Sequence, residues 1–188
     1  MSLKKQAKVL TESQQKQVLA VLASRRNAAR NTLMFLLSVD GGLRAKEIAL
    51  LEWTMVLGSD GEIADAIRLE DRAAKGKSGG VVYMSARVQD AMRALGGARK
   101  GVVLLSERGD GMSAQVVVNW FWTLYRDLGF IGASSHSGRR TAITRWARKI
   151  SSVGGSMRDV QALARHSSLA MTQRYIEVSE DAMKRVVG

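Results

Sequence analysis

A chain of 188 residues that is 46% hydrophobic is long enough to bury a proper core and fits one domain. Its 29 Lys and Arg against 17 Asp and Glu give a formal charge of +12 and a sequence pI near 10.6, the balance of a protein that meets a polyanion, although ribosomal and membrane-surface proteins share it. The absence of cysteine excludes disulfides, thiolate zinc sites and cysteine nucleophiles, and two histidines thirty residues apart, His136 and His166, in no HExxH-like pattern, argue against a metal.

The opening MSLKKQAKVL has no signal-peptide apolar stretch. No later run, TLMFLLSV included, nears the roughly 20 residues of a membrane span, so a cytoplasmic protein with no membrane partner is expected. Residues 1–12 read as a basic, frayed lead-in. A helix follows, with Thr11 or Ser13 as N-cap and Val18, Leu19, Val21 and Leu22 as its apolar positions. Ala28 to Val39 is dense in Leu, Met and Phe, which predicts a buried helix broken by Asp40-Gly41-Gly42. Leu43 to Leu51 then restarts with Ile48, Leu50 and Leu51 as packing residues, setting Arg44 at a helix start beside a glycine turn.

From Trp53 to Met84 the pattern alternates through Ile63, Ala66 and Ile67 and reaches Val81-Val82-Tyr83-Met84 after Lys75-Gly76-Lys77-Ser78-Gly79-Gly80. This predicts a small antiparallel sheet whose last hairpin carries a lysine-glycine turn. Helices are expected from Val88 to Leu95 and from Ser113 to Leu128, the aromatics Trp120, Trp122 and Tyr125 of the second reading as core. A helix from Ser137 to Ile150 would bury Ala142, Ile143, Trp146 and Ala147 and leave Arg140, Thr144 and Arg148 elsewhere. Residues 151–155 read as a linker, Ser156 to Asp159 as a capping box, and a helix carrying Tyr175 is expected after Ser168. The sum is a mainly α domain with a small antiparallel β-sheet (α+β), occupying 13–177. The tail VSEDAMKRVVG, 178–188, presents Ala182, Met183, Val186 and Val187 as an apolar face.

The chemistry concentrates in the last third. His136 and Arg139 are three apart and share one face at a helix N-terminus, whose backbone N–H groups and partial positive charge favour a phosphate. Arg44, at another helix start, could complete a two-guanidinium clamp whose forks match the oxygens of a pentacovalent phosphorus. Tyr175, whose phenol titrates near 10 in isolation, needs positive charge or a proton acceptor to act as a nucleophile, and His166 lies nine residues before it. Lys75, in a glycine turn, can reach a cleft as a general acid. Taken singly, each has an ordinary reading: a solvated arginine, a core histidine, a half-buried tyrosine, a loop lysine.

In order and spacing, GLRAKEIALLEW, the Lys75 hairpin, HSGRR and ARHSSLAMTQRYIE resemble the catalytic domain of the tyrosine recombinases, also called the phage integrase family, from about Leu10 to Glu177. The resemblance implies that family's fold and a site-specific recombinase or integrase that breaks and rejoins DNA strands. Tyr175 would attack a phosphodiester to leave a 3′-phosphotyrosyl link and a free 5′-hydroxyl. Arg44 and Arg139 would hold the nonbridging oxygens, and His136 and His166 would hydrogen-bond the phosphate and help proton transfer. Lys75, with Lys77 as the alternative, would protonate the 5′ oxygen. No metal, nucleotide or other cofactor is implied. The partners implied are double-stranded DNA and further copies of the chain in a homo-tetramer on paired sites, joined by the 178–188 tail, with an accessory or partner recombinase as a further candidate. The implied setting is the bacterial cytoplasm or nucleoid, or a phage or mobile element.

Two other readings share parts of this pattern: a type IB topoisomerase, and a noncatalytic DNA-binding regulator of the same fold. Ala164-Arg165 stands where the family commonly has Leu-Gly, and Val82-Tyr83-Met84 where it has Val-Pro-Leu. Gly138 replaces a common leucine and is expected to loosen its helix start. Most members carry an N-terminal core-binding domain. Here the sequence opens where the catalytic domain should, as expected of a truncated fragment or a minimal recombinase.

Overall fold

The computed structural model describes residues 7–73, 79–176 and 180–187, with residues 180–182 described by backbone alone. The chain forms two compact units, Met1–Ala142 and Ile143–Gly188. Each has its own apolar cluster.

The first unit starts before its first helix. Leu10 is buried, and its amide donates to Thr141 Oγ1 at 2.8 Å across 131 residues, so this end of the lead-in is pinned and not frayed. Helix α1, Glu12–Ala23, is capped by Thr11, whose hydroxyl accepts from Gln14 N–H while the Gln14 side chain accepts from Thr11 N–H. Helix α2, Ala28–Val39, buries Leu33, Met34, Phe35, Leu36, Leu37 and Val39. A helix apolar on every side belongs at the centre of a unit, and α2 touches α1, α3 (Ala45–Ala49) and α4 (Ala86–Ala94). In α3, Ile48 is buried as expected and so is Leu51 just beyond it, but Leu50 is exposed, because the helix is only five residues long and ends before Leu50 can turn inward.

The expected sheet has two strands, β1 (Ala66–Leu69) and β2 (Gly80–Tyr83), paired antiparallel from Ala66↔Tyr83 to Leu69↔Gly80. Ile67 and Val82, opposite one another, face the core, while Arg68, Val81 and Tyr83 face out. The buried Asp40 carboxylate accepts from Ser85 Oγ and from Arg87 through both Nε and Nη2, tying the end of α2 to the start of α4. Helix α5, Ala114–Asp127, starts at the N-cap Ser113. Its buried stripe is Val117, Phe121, Leu124 and Tyr125, at helical spacing. Trp122 falls off that stripe, is 56% exposed and carries the Arg126 guanidinium 4.7 Å above its ring, so the expectation of a core aromatic fails there.

Helix α6, Ser137–Lys149, contains the boundary between the units. In the second unit, residues 150–153 form a 3-10 turn where a linker was expected, and α7 spans Met157–Ala164. The Asp159 carboxylate accepts both the N–H and the hydroxyl of Ser156, which holds it below the usual carboxylate range. Helices α8, Leu169–Gln173, and α9, Glu180–Val187, complete the unit. Ile143, Val160 and Ala164 form its core, with Trp146, Ala147, Ile150, Met157 and Tyr175 against them. Thr144, expected away from the interior, is 4% exposed. Among the described residues no helix is long and apolar enough to cross a membrane.

Candidate active site

The sequence-predicted residues fall into two groups, one in each unit. In the first, the turn after α2 does most of the positioning. Gly42 takes φ +63, a left-handed conformation open to glycine at little cost, and a Cβ on Gly41 would come within 2.9 Å of both Leu37 O and Leu43 Cδ1. The chain thereby reverses into Arg44, the extended N-cap residue of α3. Glu47, three residues on and fully buried, accepts the Arg44 N–H on Oε2 at 2.8 Å and the Arg44 guanidinium on Oε1 at 2.6 Å. A guanidinium cannot accept a hydrogen bond, so only the glutamate half of a capping box is present, and its effect is to fix the arginine's direction. The reading of Arg44 as a surface arginine is therefore displaced. Glu47 was missed at the sequence level, although a glutamate three residues after a helix start is the signal that could have found it.

Arg139, 3% exposed, donates from Nη1 to Gly42 O at 2.5 Å. One glycine turn thus delivers Arg44 and receives Arg139, which brings the two predicted guanidinium residues to the same place in the fold. His136 stands just before α6, with its carbonyl accepting from Arg140 N–H at 2.9 Å. Ser134 N–H donates to Ser137 Oγ at 3.0 Å, and Ser134 Oγ accepts from His136 N–H. His136 is exposed and Arg139 buried, so the spacing of three places one residue outside and the other against the glycine turn. Gly138 lies between them. A Cβ there would collide with Ser38 Oγ and come within 2.8 Å of Ser38 Cβ and 3.1 Å of Ser38 C. The glycine allows α6 to press on α2 at this point. Lys75 and Lys77 lie outside the described residues.

In the second unit α7 ends in a Schellman motif. Arg165 N–H donates to Ala162 O and His166 N–H to Gln161 O, with Arg165 in the left-handed region at φ +52. Gln161 Nε2 also donates to His166 O at 3.1 Å, so the backbone of this histidine is held on both sides. Its ring, 6% exposed, has Nδ1 3.0 Å from Thr172 Oγ1 and stacks on Tyr175 with centroids 5.2 Å apart and planes 27° from parallel. Helix α8 ends at Gln173, so Tyr175 sits in the turn beyond it and not within a helix. There Tyr175 O accepts from Thr144 Oγ1 at 3.1 Å. Thr144, expected off the buried stripe, and Thr172 are anchors that the sequence does not mark, since a hydroxyl among apolar neighbours carries no pattern of its own.

The chain has three tyrosines. Tyr125 is sealed in the core beside Phe121 and Phe130, and burial pushes its phenol up, which disqualifies it as a nucleophile. Tyr83 stands at the outer end of β2. Tyr175 alone is half-buried with an imidazole on its ring face.

A left-handed glycine turn joined to two arginines, a small antiparallel ribbon, and a histidine stacked on a tyrosine beyond a short helix together describe a tyrosine recombinase catalytic domain. The family model described as the phage integrase family matches residues 8–181, and the chain belongs to that family, whose members are tyrosine-type site-specific recombinases. No curated protein matches the chain. Among solved structures, the Tn1549 transposon integrase in complex with a circular intermediate DNA is 17% identical at a TM-score of 0.74, over 100% of this chain and 67% of that one. XerA recombinase is 18% identical at 0.72, over 95% and 63%. XerH site-specific recombinase bound to a difH substrate is 17% identical at 0.69, over 100% and 55%. The chain thus spans about two thirds or less of these proteins, and the likeness is one of fold.

Proposed function

We propose that the chain breaks and rejoins double-stranded DNA at specific sites, with Tyr175 as nucleophile. The phenol oxygen forms a bond to phosphorus, the P–O5′ bond breaks, and the 5′ oxygen takes a proton from Lys75, or from Lys77. Arg44 and Arg139 hold the nonbridging oxygens, whose charge grows as phosphorus becomes pentacovalent. His136 and His166 hydrogen-bond the phosphate, and an imidazole is the natural relay for the tyrosine proton. The phosphotyrosine retains the energy of the broken ester, so attack by a 5′-hydroxyl reverses the step without a metal or nucleotide.

The stacked pair His166 and Tyr175 carries this reading, because it sets an imidazole, the side chain suited to relaying a proton, against the ring of one phenol of the chain. The formal charge of +12 supports a DNA partner, and neighbours of the same fold are described with DNA bound. We place the reaction in the cytoplasm or nucleoid, in a homo-tetramer on paired sites, with a partner recombinase as a further component. Support for assembly comes from α9, which exposes Met183, Val186 and Val187.

Covalent trapping tests the reading. Nicked duplexes from the source locus, which lose the attacking 5′-hydroxyl once cut, are incubated with the protein and denatured. A protein–DNA band should survive, and digestion should leave a tyrosine peptide containing residue 175 on the 3′ end. Firm binding with no adduct would favour a regulator of the same fold. Binding itself should weaken about 10³–10⁵-fold between 50 and 200 mM salt if six to ten phosphates are neutralised, as read from a fluorescence-anisotropy titration. A flat salt response would remove the DNA assignment.

A further inference from the structure

We infer that Arg165 is a positioning residue for the His166–Tyr175 pair, an inference that rests on the proposed reaction for its kinetic consequence. Three observations converge on it. The Schellman motif at the end of α7 needs a left-handed residue at position 165, where glycine fits without a Cβ penalty, and an arginine occupies it at φ +52. A long side chain kept in a disfavoured backbone region persists when the surroundings over-determine it, and such sites cluster where function depends on geometry. Second, the Arg165 Nε and Nη1 are sealed from solvent. A surface arginine extends its head into water, whereas this one, half-buried as a residue, turns Nε and Nη1 into the protein. Third, its neighbours in the chain are Ala164, at 0% exposure a member of the second unit's core, and His166, whose ring lies on Tyr175.

The backbone hydrogen bonds of the motif fix where His166 begins. With the Gln161 side chain on His166 O they hold the backbone of the turn, and leave the imidazole to be steadied by what packs around it. A side chain at residue 165 whose Nε and Nη1 lie out of solvent packs the turn further, so the imidazole keeps both its Thr172 contact and its place on the Tyr175 ring. Arg165 acts through His166 and makes no contact with the phosphate on this account.

Arg165→Gly is the informative variant because glycine adopts the same backbone and loses only the tether. The melting temperature should stay within about 3 °C of wild type, since relief of the left-handed penalty offsets the lost side-chain contacts. DNA affinity should change less than about twofold, while single-turnover cleavage slows by about 10²-fold, the scale of a small misplacement of a reacting group. Arg165→Lys, a cation without the fork, should recover part of the rate. Cleavage by Arg165→Gly at the wild-type rate would overturn the inference, as would a loss of affinity that accounts for the slower cutting. A second readout needs no DNA. The chain has two histidines, so ¹⁵N-resolved imidazole spectra report each ring separately. In Arg165→Gly the His166 signals should move toward tautomer averaging while those of His136 stay in place. Unchanged His166 signals would refute the positioning role whether or not any DNA is cut, whereas a wild-type protein that forms no adduct would count against the proposed reaction alone.

Discussion

Tyr175→Phe is expected to bind DNA as wild type does and to form no covalent complex. The substitution removes one oxygen and keeps the ring, so the stack on His166 at 5.2 Å and the packing against Ile143, Val160 and Ala164 are retained. The Thr144 hydroxyl bonds the backbone carbonyl of residue 175 and is indifferent to the phenol. Stability should therefore fall by no more than about 1 kcal/mol, the net worth of a hydrogen bond that a phenol can lose. Cleavage has no such reserve. No other tyrosine can substitute, because Tyr125 is locked in the core with its phenol pushed up and Tyr83 lies on the ribbon of the other unit. The loss should reach about 10⁴-fold or more, the range in which removal of a working nucleophile is felt. Denaturing gels of nicked substrate, run beside an anisotropy titration of the same variant, separate the two effects. A residual adduct in Tyr175→Phe would move the nucleophile elsewhere.

The second large effect is on the fold. Gly138→Ala should destabilise the protein by about 2 kcal/mol even though alanine is the better helix former, because its Cβ meets Ser38 and not open space. For a chain of this size that is a fall of roughly 4–8 °C in melting temperature. Gly138→Leu, which restores the residue common in the family, should be worse. The diagnostic experiment is a double-mutant cycle. Ser38→Gly costs its own helix penalty of about 1 kcal/mol, but combined with Gly138→Ala it should return about 1 kcal/mol as coupling. Strict additivity in thermal or urea unfolding would show that the two helices do not meet through these residues. Because Arg139 is the next residue and donates to Gly42 O, Gly138→Ala should also slow cleavage more than it weakens binding.

Much of this was legible in the sequence where a local rule acts alone. Helix α2 and its end at Asp40 follow from a run of large apolar residues stopped by two glycines. The caps Thr11, Ser113 and Ser156 announce their helices through side chains that satisfy N–H groups. Arg44 could be placed at a helix start because the Asp40-Gly41-Gly42 break stands just before it. The misreadings occur where two rules compete. Trp122 was grouped with Trp120 and Tyr125 as core, yet a helix has room for one stripe, and Val117, Phe121, Leu124 and Tyr125 fill it. Tyr175 was put on a helix because Leu169 to Gln173 reads as helical; a five-residue helix carries no internal signal for its own end. Gly138 looked like a weak point because its local propensity is poor. Its value lies in a contact with Ser38, a hundred residues earlier, which no local pattern contains. Arg165 was noted as a departure from Leu-Gly, and only the positive φ explains why glycine is the common choice there.

The division of the chain inside α6 has a consequence for control. The arginines proposed to hold the phosphate belong to a unit built on a broad core that includes α2 and α5, whereas the proposed nucleophile is mounted on one whose fully buried apolar residues, among those described, are Ile143, Val160 and Ala164. Free energy for local opening scales with what is buried, so the second unit needs the smaller perturbation to disorder. On the proposed reaction, grip and blade thus have separate safety catches: an influence that loosens the smaller unit disarms cutting while the arginine-bearing unit keeps its fold, and one that tightens it arms the tyrosine without remaking the rest.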